Sequence, residues 1–431
     1  MSTFGDILTS VFDRSARLLD RRFRDEGSIQ DLTAALLSSR GEASGIALAD
    51  EVLRRYAELS DPYRQEFFEY LANDLDPDPD AASAAAAQYS ESRSPEALRA
   101  LIAATEPPRQ ALFRRLNMAP DGTARLVAMR ADLRTAMRDD PDLVRVDDDF
   151  EHLLGSWFNR GFLVLRRIDW STPAAVLEKI IQYEAVHEID SWDELRRRVD
   201  PPDRRCFAFF HPAMPDEPLI FVEVALTGET PGSIQDLLDP NREPISPEEA
   251  NTAVFYSISN CQPGLAGVSF GAFLIKQVAH DLSTELPGVE TFVTLSPVPG
   301  FMRWLRSAAG EPDTTASSVL PGLEEPDWPS DPSAVEELRP KVLSLAARYF
   351  LDAKRGDDQP VDPVARFHLG NGAELQAIHW MGDRSARGIA QSAGVMVNYL
   401  YRLDRIEANH EAYASEGQIV ATRAVRALAK G

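Results

Sequence analysis

Only two cysteines, Cys206 and Cys261, occur among the 431 residues of the chain. Two thiols are too few for a disulfide framework or for a zinc site built from thiolates. Such a low cysteine content is typical of proteins from a reducing compartment, and we expect both thiols to be buried. The sequence therefore excludes the disulfide-stapled and thiolate-metal classes of protein.

Long hydrophobic runs are also missing. No stretch reaches the roughly 18 uncharged apolar residues that a membrane helix needs. The first residues, MSTFGDILTSVFDRSARLLDRRF, lack the basic start and apolar centre of a secretory signal, and the last, ALAKG, match no retention or peroxisomal tail. These patterns predict a cytoplasmic protein that does not act on a membrane.

Basic residues are fewer than acidic ones in this sequence. The chain has 45 basic and 68 acidic side chains, which gives a formal net charge of −23. A charge of this sign argues against nucleic acid as a partner. Any anionic ligand must instead be held locally, by a helix N-terminus, by backbone amides or by a few arginines.

The chain is longer than a single hydrophobic core usually spans, so two or three domains are expected. From residue 5 to about 140, apolar residues recur at helical spacing, as at Leu126, Met129, Leu133 and Met137. This half shows no motif of sugar, phosphate or metal chemistry. We interpret residues 1–155 as an all-helical bundle that packs on the rest of the chain or forms an oligomer contact.

After about residue 160 the pattern changes to short apolar segments typical of strands, at 161–168, 206–211, 219–226, 252–259 and 290–296. Helical segments separate some of them. The sequence thus predicts an α+β fold, with a mixed α/β domain over residues 156–431. The stretch 308–340 is rich in proline, serine and acidic residues, and we expect a surface segment there.

Three glycines, Gly264, Gly267 and Gly271, stand between the predicted strand 252–259 and a predicted helix. The order of strand, glycine turn and helix points backbone amides at an anion. The spacing fits neither the P-loop nor the G-x-G-x-x-G dinucleotide motif. From spacing alone, glycines that merely close a tight turn are an equally good explanation.

Long, uncommon motifs follow one another through residues 160–415: HPAMPDEPLIFVEVALT, FYSISNCQPGLAGVSFGAFLIK, TLSPVPGFMRWL, DPVARFHLGNGAELQAIHWMGD and GIAQSAGVMVNYLY. Together they resemble the malonyl-CoA decarboxylase family. The helical N-terminal part is similar to that family's N-terminal domain in type and length. The resemblance implies a GNAT-like catalytic domain, malonyl-CoA as substrate, acetyl-CoA as product, and neither a separate cofactor nor a metal.

The same resemblance assigns the glycine turn to the pyrophosphate of coenzyme A. The implied substrate-binding residues are Gln262, Gly264, Ala266, Gly267, Val268, Ser269, Phe270, Gly271, Ala272 and Asn371. The amides from about Ala266 to Ala272 would hold the phosphates, which suits a ligand that an acidic protein must attract locally.

Two residues are expected to be catalytic, Ser296 and His368. By residue type alone, a serine before Pro-x-Pro is a turn-forming hydroxyl and a lone histidine is structural. The resemblance changes both interpretations, since the family's catalytic serine and histidine motifs are intact here. It implies that His368 protonates the α-carbon of the product enolate, and that Ser296 hydrogen-bonds the malonyl carboxylate or the thioester.

Other polar residues in the motifs have two open interpretations, as site residues or as structural ones. His211 and His379 are candidates to line the site, Arg384 and Arg387 to bind phosphate, and Tyr399 to reach the ligand or pack in the core. Asn371 either orients a ligand or closes a turn with its neighbouring glycines. No two histidines stand at metal-ligand spacing, so a zinc site is not expected.

Two alternatives to a decarboxylase stay open at this point. An acyltransferase of the same fold would release free thiol, whereas a decarboxylase releases acetyl-CoA and carbon dioxide. An acyl-CoA sensor would bind the ligand without turnover. The resemblance also implies a homo-oligomer, a dimer or a tetramer, formed through the helical domain.

Overall fold

A computed structural model describes residues 27–38, 41–268, 271–310, 315–356 and 358–430, without the side chains of 271–273. Several predictions concern residues outside this set: the helical pattern before residue 27, the ligand residues Ser269 and Phe270, and the side chain of Ala272. Contacts divide the chain into two compact units. The first unit comprises the described residues up to Leu163 with 211–215 and 262–268, and the second comprises the remainder.

The first unit is built from helices. They are α1 Ile29–Ser38, α2 Glu42–Glu58, α3 Asp61–Asn73, α4 Pro79–Ser92, α5 Pro95–Thr105, α6 Pro108–Leu116, α7 Gly122–Ala136 and α8 Val144–Trp157. All of them except α4 bury side chains, and between α6 and α8 the rings of Phe113 and Phe150 stack with centroids 4.0 Å apart. The prediction of a helical first half is confirmed over the described residues.

The second unit contains strands and helices in alternation. The strands are β1 Val164–Ile168, β2 Arg204–Phe210, β3 Ile220–Thr227, β4 Thr252–Asn260, β5 Thr291–Thr294, β6 Ser296–Pro297, β7 Glu374–His379 and β8 Met396–Leu400. The helices are α9 Ala174–Tyr183, α10 Trp192–Val199, α11 Ile234–Leu237, α12 Gly271–Glu285, α13 Phe301–Ala308, α14 Thr315–Glu324, α15 Pro332–Leu351, α16 Pro363–Gly370, α17 Ala386–Ser392, α18 Ile406–Glu416 and α19 Arg423–Leu428.

The strands form one mixed sheet in the order β1-β2-β3-β4-β5-β8-β6, with β7 on the other side of β8. Strands β1 to β4 are antiparallel, β4 and β5 are parallel, and β8 runs antiparallel to β5, β6 and β7. This arrangement confirms the predicted α+β fold with a mixed sheet in the second part. Every predicted strand is present, and the sequence analysis missed β7 and β8.

The prediction of a surface segment over 308–340 is wrong. Helices α14 and α15 occupy most of this stretch, and their apolar side chains, with Val319 and Leu338 among them, are buried. Trp328, between the two helices, is buried and stacks on Trp380 with ring centroids 5.6 Å apart. Each helix contains an internal proline, so the composition resembled that of a loop although tertiary packing supports a helix.

Over the described residues, each helix is too short or too polar to cross a bilayer. Both cysteines are buried and free, as expected.

Gly264 is required by close packing in the first unit. A Cβ at this position would overlap the backbone carbonyl of Val127 in α7. The turn that contains Gly264 therefore lies against a helix at a distance that only glycine permits.

We predict that Gly264→Ala destabilises the protein by about 1–3 kcal/mol, because backbone must move to admit the methyl group. Thermal or urea unfolding measures the change. Gly155→Ala in α8 is the control, because a Cβ there meets nothing within 4 Å and alanine in a helix gains up to ~1 kcal/mol over glycine. Equal stability of wild type and Gly264→Ala would contradict the proposed packing.

Candidate active site

Ser296 lies at a break in the sheet. β5 ends at Thr294, the chain makes an irregular step at Leu295, and Ser296 then pairs with Val397 of β8. This step places the Ser296 side chain in the interior, where it is 5 % exposed. Its hydroxyl donates a hydrogen bond of 2.9 Å to Oγ1 of Thr294.

His368 reaches the same place from another element, the short helix α16. Its side chain is 2 % exposed, and its Nε2 lies 3.3 Å from Oγ of Ser296. The two residues are 72 positions apart in the sequence. The structure thus brings together the two residues that were predicted to be catalytic.

Two tyrosines hold the imidazole of His368: Tyr399 in β8, and Tyr401 directly after that strand. Oη of Tyr401 is 2.7 Å from Nδ1 of His368, and the ring of Tyr399 stacks on the imidazole with centroids 4.6 Å apart. The sequence analysis did not name Tyr401 as a candidate. For Tyr399, it considered a role at the site less favoured than packing in the core. Their alternation along a buried strand is the signal that was present, but strand β8 itself was not predicted.

The hydrogen bonds assign the imidazole proton. Because the Ser296 hydroxyl donates to Thr294, its oxygen is free to accept a hydrogen bond from Nε2–H of His368. Nδ1 then accepts from the hydroxyl of Tyr401. The pair therefore consists of a neutral imidazole with its proton on Nε2, directed at the serine oxygen.

Burial keeps this histidine neutral. Loss of hydration lowers the pKa of His368 to about 3, and burial likewise raises the pKa of Tyr401 well above its usual value. The sequence analysis treated histidine as an acid with a pKa close to neutrality. The structure does not support that premise, since desolvation by burial disfavours the imidazolium and lowers the pKa of His368.

Asn371 follows α16 and has an unused donor. Its backbone amide donates to the carbonyls of Phe367 and His368. The side chain is buried, and its Nδ2 has no hydrogen-bond partner within the described residues. A buried donor left without an acceptor costs about 1–3 kcal/mol, so a ligand or water that accepts from Asn371 would be favoured.

Residues 262–268 of the glycine turn belong to the first unit, and this part is more closed than predicted. A turn of 3-10 helix begins at Pro263, and the amides of Ala266 and Val268 donate to the carbonyls of Pro263 and Leu265. These two amides are thus occupied within the turn, although they were expected to face a phosphate. Gly267 has a φ of +90°, which explains why glycine stands there.

Arg130, on α7, fastens the turn and was missed by the sequence analysis. Its side chain is fully buried and donates to the carbonyls of Gly264 and Ala266 at 3.1 and 2.9 Å. Asp147 pairs with it at 2.7 Å, and Glu151 at 3.2 Å. The helical half, in which no ligand chemistry was visible, therefore fixes the backbone of the predicted phosphate turn.

A cavity of about 740 Å³ opens beside this turn within the first unit. It is lined by Gly267 and Val268 and by polar side chains of α8 and the residues after it, among them Glu151, His152 and Arg160. The Glu151 carboxylate is close to Gly267, since a Cβ built there would lie 2.9 Å from it. A negative charge therefore faces part of the predicted phosphate turn.

The other candidates have structural partners. The ring of His211 packs at a tilt of 44° on Phe158 in the first unit, with ring centroids 4.8 Å apart. His379 hydrogen-bonds Asn398, whose amide donates to the carbonyl of Thr294, so this histidine supports the strand next to Ser296. Arg384 and Arg387 line a separate cavity of about 610 Å³ in the second unit. Within the part of the chain that the structure describes, no group of three potential metal ligands is found.

Fold and site together define an α+β protein in which a buried serine and histidine face each other across an interrupted strand. Comparison with known proteins gives the family. "Malonyl-CoA decarboxylase C-terminal domain" matches residues 161–431, and "Malonyl-CoA decarboxylase N-terminal domain" matches residues 75–158. The chain belongs to the malonyl-CoA decarboxylase family.

Individual relatives agree with this assignment. A crystal structure of malonyl-CoA decarboxylase from Rhodopseudomonas palustris is 54% identical, has a TM-score of 0.89, and covers 93% of this chain and 98% of its own. That from Agrobacterium vitis is 52% identical with the same TM-score, covering 93% and 99%. The mitochondrial malonyl-CoA decarboxylase of Anser anser anser is 36% identical over 400 residues, 84% of this chain and 79% of the relative.

The buried histidine predicts how stability depends on pH. The pKa of His368 is about 3 in the folded protein, and that of a second histidine, His187, is lowered by burial to about 4. The unfolded chain takes up protons at these groups below about pH 6.5, where the folded protein does not. Their contribution to stability is therefore present above that pH and is lost as the pH falls toward the folded values.

Thermal unfolding at pH 7 and pH 5, at constant ionic strength, tests this. We expect a smaller drop in Tm for His368→Gln than for wild type, because one of the buried histidines whose pKa is lowered in the folded protein is gone. His280→Gln, on the exposed side of α12, should keep the wild-type drop. A His368→Gln drop as large as that of wild type would show that His368 is not a buried neutral group.

Proposed function

We propose that this protein converts malonyl-CoA to acetyl-CoA and carbon dioxide, with Ser296 and His368 as its catalytic residues. The observation that supports it best is the meeting of these two side chains, 3.3 Å apart in a buried site, on a chain of the malonyl-CoA decarboxylase family. The serine and the histidine come from the two motifs in which catalysis was predicted.

The reaction makes two demands on the protein. The bond between the α-carbon and the carboxylate carbon breaks, carbon dioxide leaves, and the electron pair is delocalised over the α-carbon and the thioester oxygen. The resulting enolate then takes one proton on carbon. In principle neither step requires a metal, since the thioester carbonyl accepts the electrons; the protein must stabilise the enolate and supply the proton.

Burial of the pair suits the first step. The malonyl carboxylate carries a localised charge that water stabilises, whereas the charge is spread over the enolate in the transition state. A site in which Ser296 and His368 are 5 % and 2 % exposed withholds that hydration from the bound carboxylate. Replacing water by fixed dipoles of the protein favours the dispersed charge.

The second step needs a proton that the buried, neutral histidine does not supply readily. A neutral imidazole is a poor acid, and its proton on Nε2 would leave an anion behind. The carboxylate of the substrate, placed near the ring, raises the pKa of His368, so that a proton is taken up together with the substrate. The imidazolium then protonates the α-carbon through Nε2.

Tyr401 is compatible with both states of the ring. A phenol donates to Nδ1 of the neutral imidazole and accepts from Nδ1–H of the imidazolium, at the same 2.7 Å separation. The ring can therefore gain and lose its proton without reorientation. Ser296 is left to turn its hydroxyl from Thr294 toward the carboxylate or the thioester oxygen, and the buried Nδ2 of Asn371 is a further donor for the ligand.

We propose that the glycine turn binds the pyrophosphate of coenzyme A, through residues 262–272. The order of β4, turn and α12 supports this, as does the anchoring of the turn by Arg130. Among the residues named for this role, Gly264 acts through its packing on α7. The occupied amides of Ala266 and Val268 require that the turn adjusts when a phosphate binds.

A homo-oligomer, a dimer or a tetramer, formed by the helical unit in the cytoplasm, is part of the same proposal. Helix α5 supports it, because Leu98 and Ile102 project from one side of that helix and are 40% and 58% exposed.

Decarboxylation is tested by mass spectrometry of purified protein with malonyl-CoA in deuterated water. We expect acetyl-CoA with one deuterium on the α-carbon, formed faster than without protein. His368→Gln is expected to lower kcat by about 10²–10⁴-fold, the range for loss of a general acid, while coenzyme A still binds. Free thiol in place of acetyl-CoA would indicate acyl transfer or hydrolysis, and unchanged malonyl-CoA would reject the proposal.

Removing the negative charge next to the glycine turn tests whether the turn binds the phosphates of coenzyme A. Glu151→Gln removes a carboxylate close to Gly267 but keeps an oxygen that accepts from Arg130. We expect KM for malonyl-CoA to fall by about 2- to 5-fold at low salt, and by less at high salt, because a repulsive charge is lost.

A substitution of Gly267 itself would be a poorer test, since its φ of +90° strains any side chain. Glu91→Gln is the matched control, because it removes the same charge from α4, a helix without buried residues. A KM that is equal in wild type and Glu151→Gln would place the phosphates elsewhere.

A further inference from the structure

Gly300 lies four residues after Ser296, at the start of α13, and a buried hydroxyl is packed on it. A Cβ at Gly300 would overlap Oη of Tyr349, which belongs to α15. The Tyr349 ring is fully buried and contacts Phe301 and Trp304 of α13, with centroids 5.7 and 5.2 Å apart. The segment that follows Ser296 is therefore packed tightly against this tyrosine.

The Tyr349 hydroxyl donates to a carboxylate that begins the histidine helix. Oη of Tyr349 lies 3.2 Å from Oδ2 of Asp362, which is fully buried. The other oxygen of Asp362 accepts the backbone amide of Ala365 at 2.8 Å and so caps α16, on which His368 lies. One carboxylate oxygen holds the helix, and the other holds the tyrosine.

The cap alone does not account for this arrangement. Other helices of the same unit are capped by residues that remain at the surface, as Asp331 caps α15 through the amide of Ser333. Burying a carboxylate costs far more than leaving it in water, and burial raises the pKa of Asp362. Because Asp362 is fully buried and its second oxygen accepts from Tyr349, this carboxylate has a role in addition to capping α16.

We propose that Tyr349 and Asp362 are positioning residues for the reaction: together they form a clasp that sets Ser296 against His368. The clasp consists of Gly300, Tyr349 and Asp362. It joins the segment after the serine to the helix of the histidine, and it touches neither the imidazole nor the serine hydroxyl through a hydrogen bond of its own.

The geometry of the pair explains why a clasp matters. The 3.3 Å between Oγ of Ser296 and Nε2 of His368 is at the long end for a hydrogen bond, and the two residues come from elements 72 positions apart. A displacement of about 1 Å in such a pair costs up to ~10²-fold in rate. Without the clasp, the segment after Ser296 and the helix of His368 lose the polar connection through Tyr349 and Asp362, and apolar packing tolerates small shifts.

The inference rests on the proposed decarboxylation, and a double-mutant cycle on kcat and KM tests it. Asp362→Asn keeps an oxygen for the amide of Ala365 but loses acceptance from the tyrosine, and Tyr349→Phe removes the hydroxyl from the other side. We expect each variant to lower kcat by about 10-fold with KM within about 2-fold of wild type. The double variant should lose no more than either single one, since both break one contact.

Asp331→Asn is the matched control, because it makes the same change at a helix cap without a second buried partner. It should leave kcat unchanged. Tm is recorded for every variant, and if Asp362→Asn does not fold, Tyr349→Phe decides alone, since its ring packing on Phe301 and Trp304 is kept.

The possible outcomes separate the two proposals. A wild-type protein that does not turn over malonyl-CoA contradicts the proposed function. An active wild type with unchanged kcat in both single variants overturns the clasp, as do losses that multiply in the double variant. A fall in kcat that follows Tm in all variants, including Asp331→Asn, would show a merely structural role and also overturn it.

Discussion

Exclusion of water from the Ser296–His368 pair is the constraint on which the rest of the site depends. Because burial lowers the pKa of His368 to about 3, the imidazole is neutral and must find its hydrogen bonds inside the protein. Tyr401 and Ser296 supply them, one at each ring nitrogen. In the proposed reaction the same exclusion of water withholds hydration from the bound carboxylate, so the feature that keeps the histidine uncharged would also promote loss of carbon dioxide.

The interrupted strand makes this burial possible. A regular strand would carry Thr294 and Ser296 past β8 with continuous pairing, but the step at Leu295 lets the side chains of both residues hydrogen-bond each other. The amide of Tyr399 donates to Oγ1 of Thr294, and that of the Asn398 side chain donates to its carbonyl. The polar groups freed by the break are thus satisfied by β8, which also contributes the ring that stacks on His368.

Sequence patterns predicted the secondary-structure elements better than the tertiary contacts between them. The five strand segments were recognised because runs of β-branched and aromatic residues report burial directly, and Ser296 and His368 were named because their motifs resemble the catalytic motifs of the family. Tyr401 and Arg130 were not found, since their importance lies in contacts with residues 33 and 134 positions away. Helices α14 and α15 were mistaken for a surface segment because Pro321 and Pro340 lower helix propensity, which burial overrides.

The buried charged side chains Arg130 and Asp362 are best explained by the groups that they orient, rather than by a contribution to stability. Arg130 and Asp362 are both fully buried, and an apolar pair of similar volume would usually stabilise such positions as well or better. What apolar side chains do not provide is direction: Arg130 holds two carbonyls of the glycine turn, and Asp362 holds one amide and one hydroxyl. Each of these side chains fixes a segment at a defined orientation next to a predicted functional group. Burying the charged group costs free energy of desolvation, and the defined orientation is obtained only with that burial.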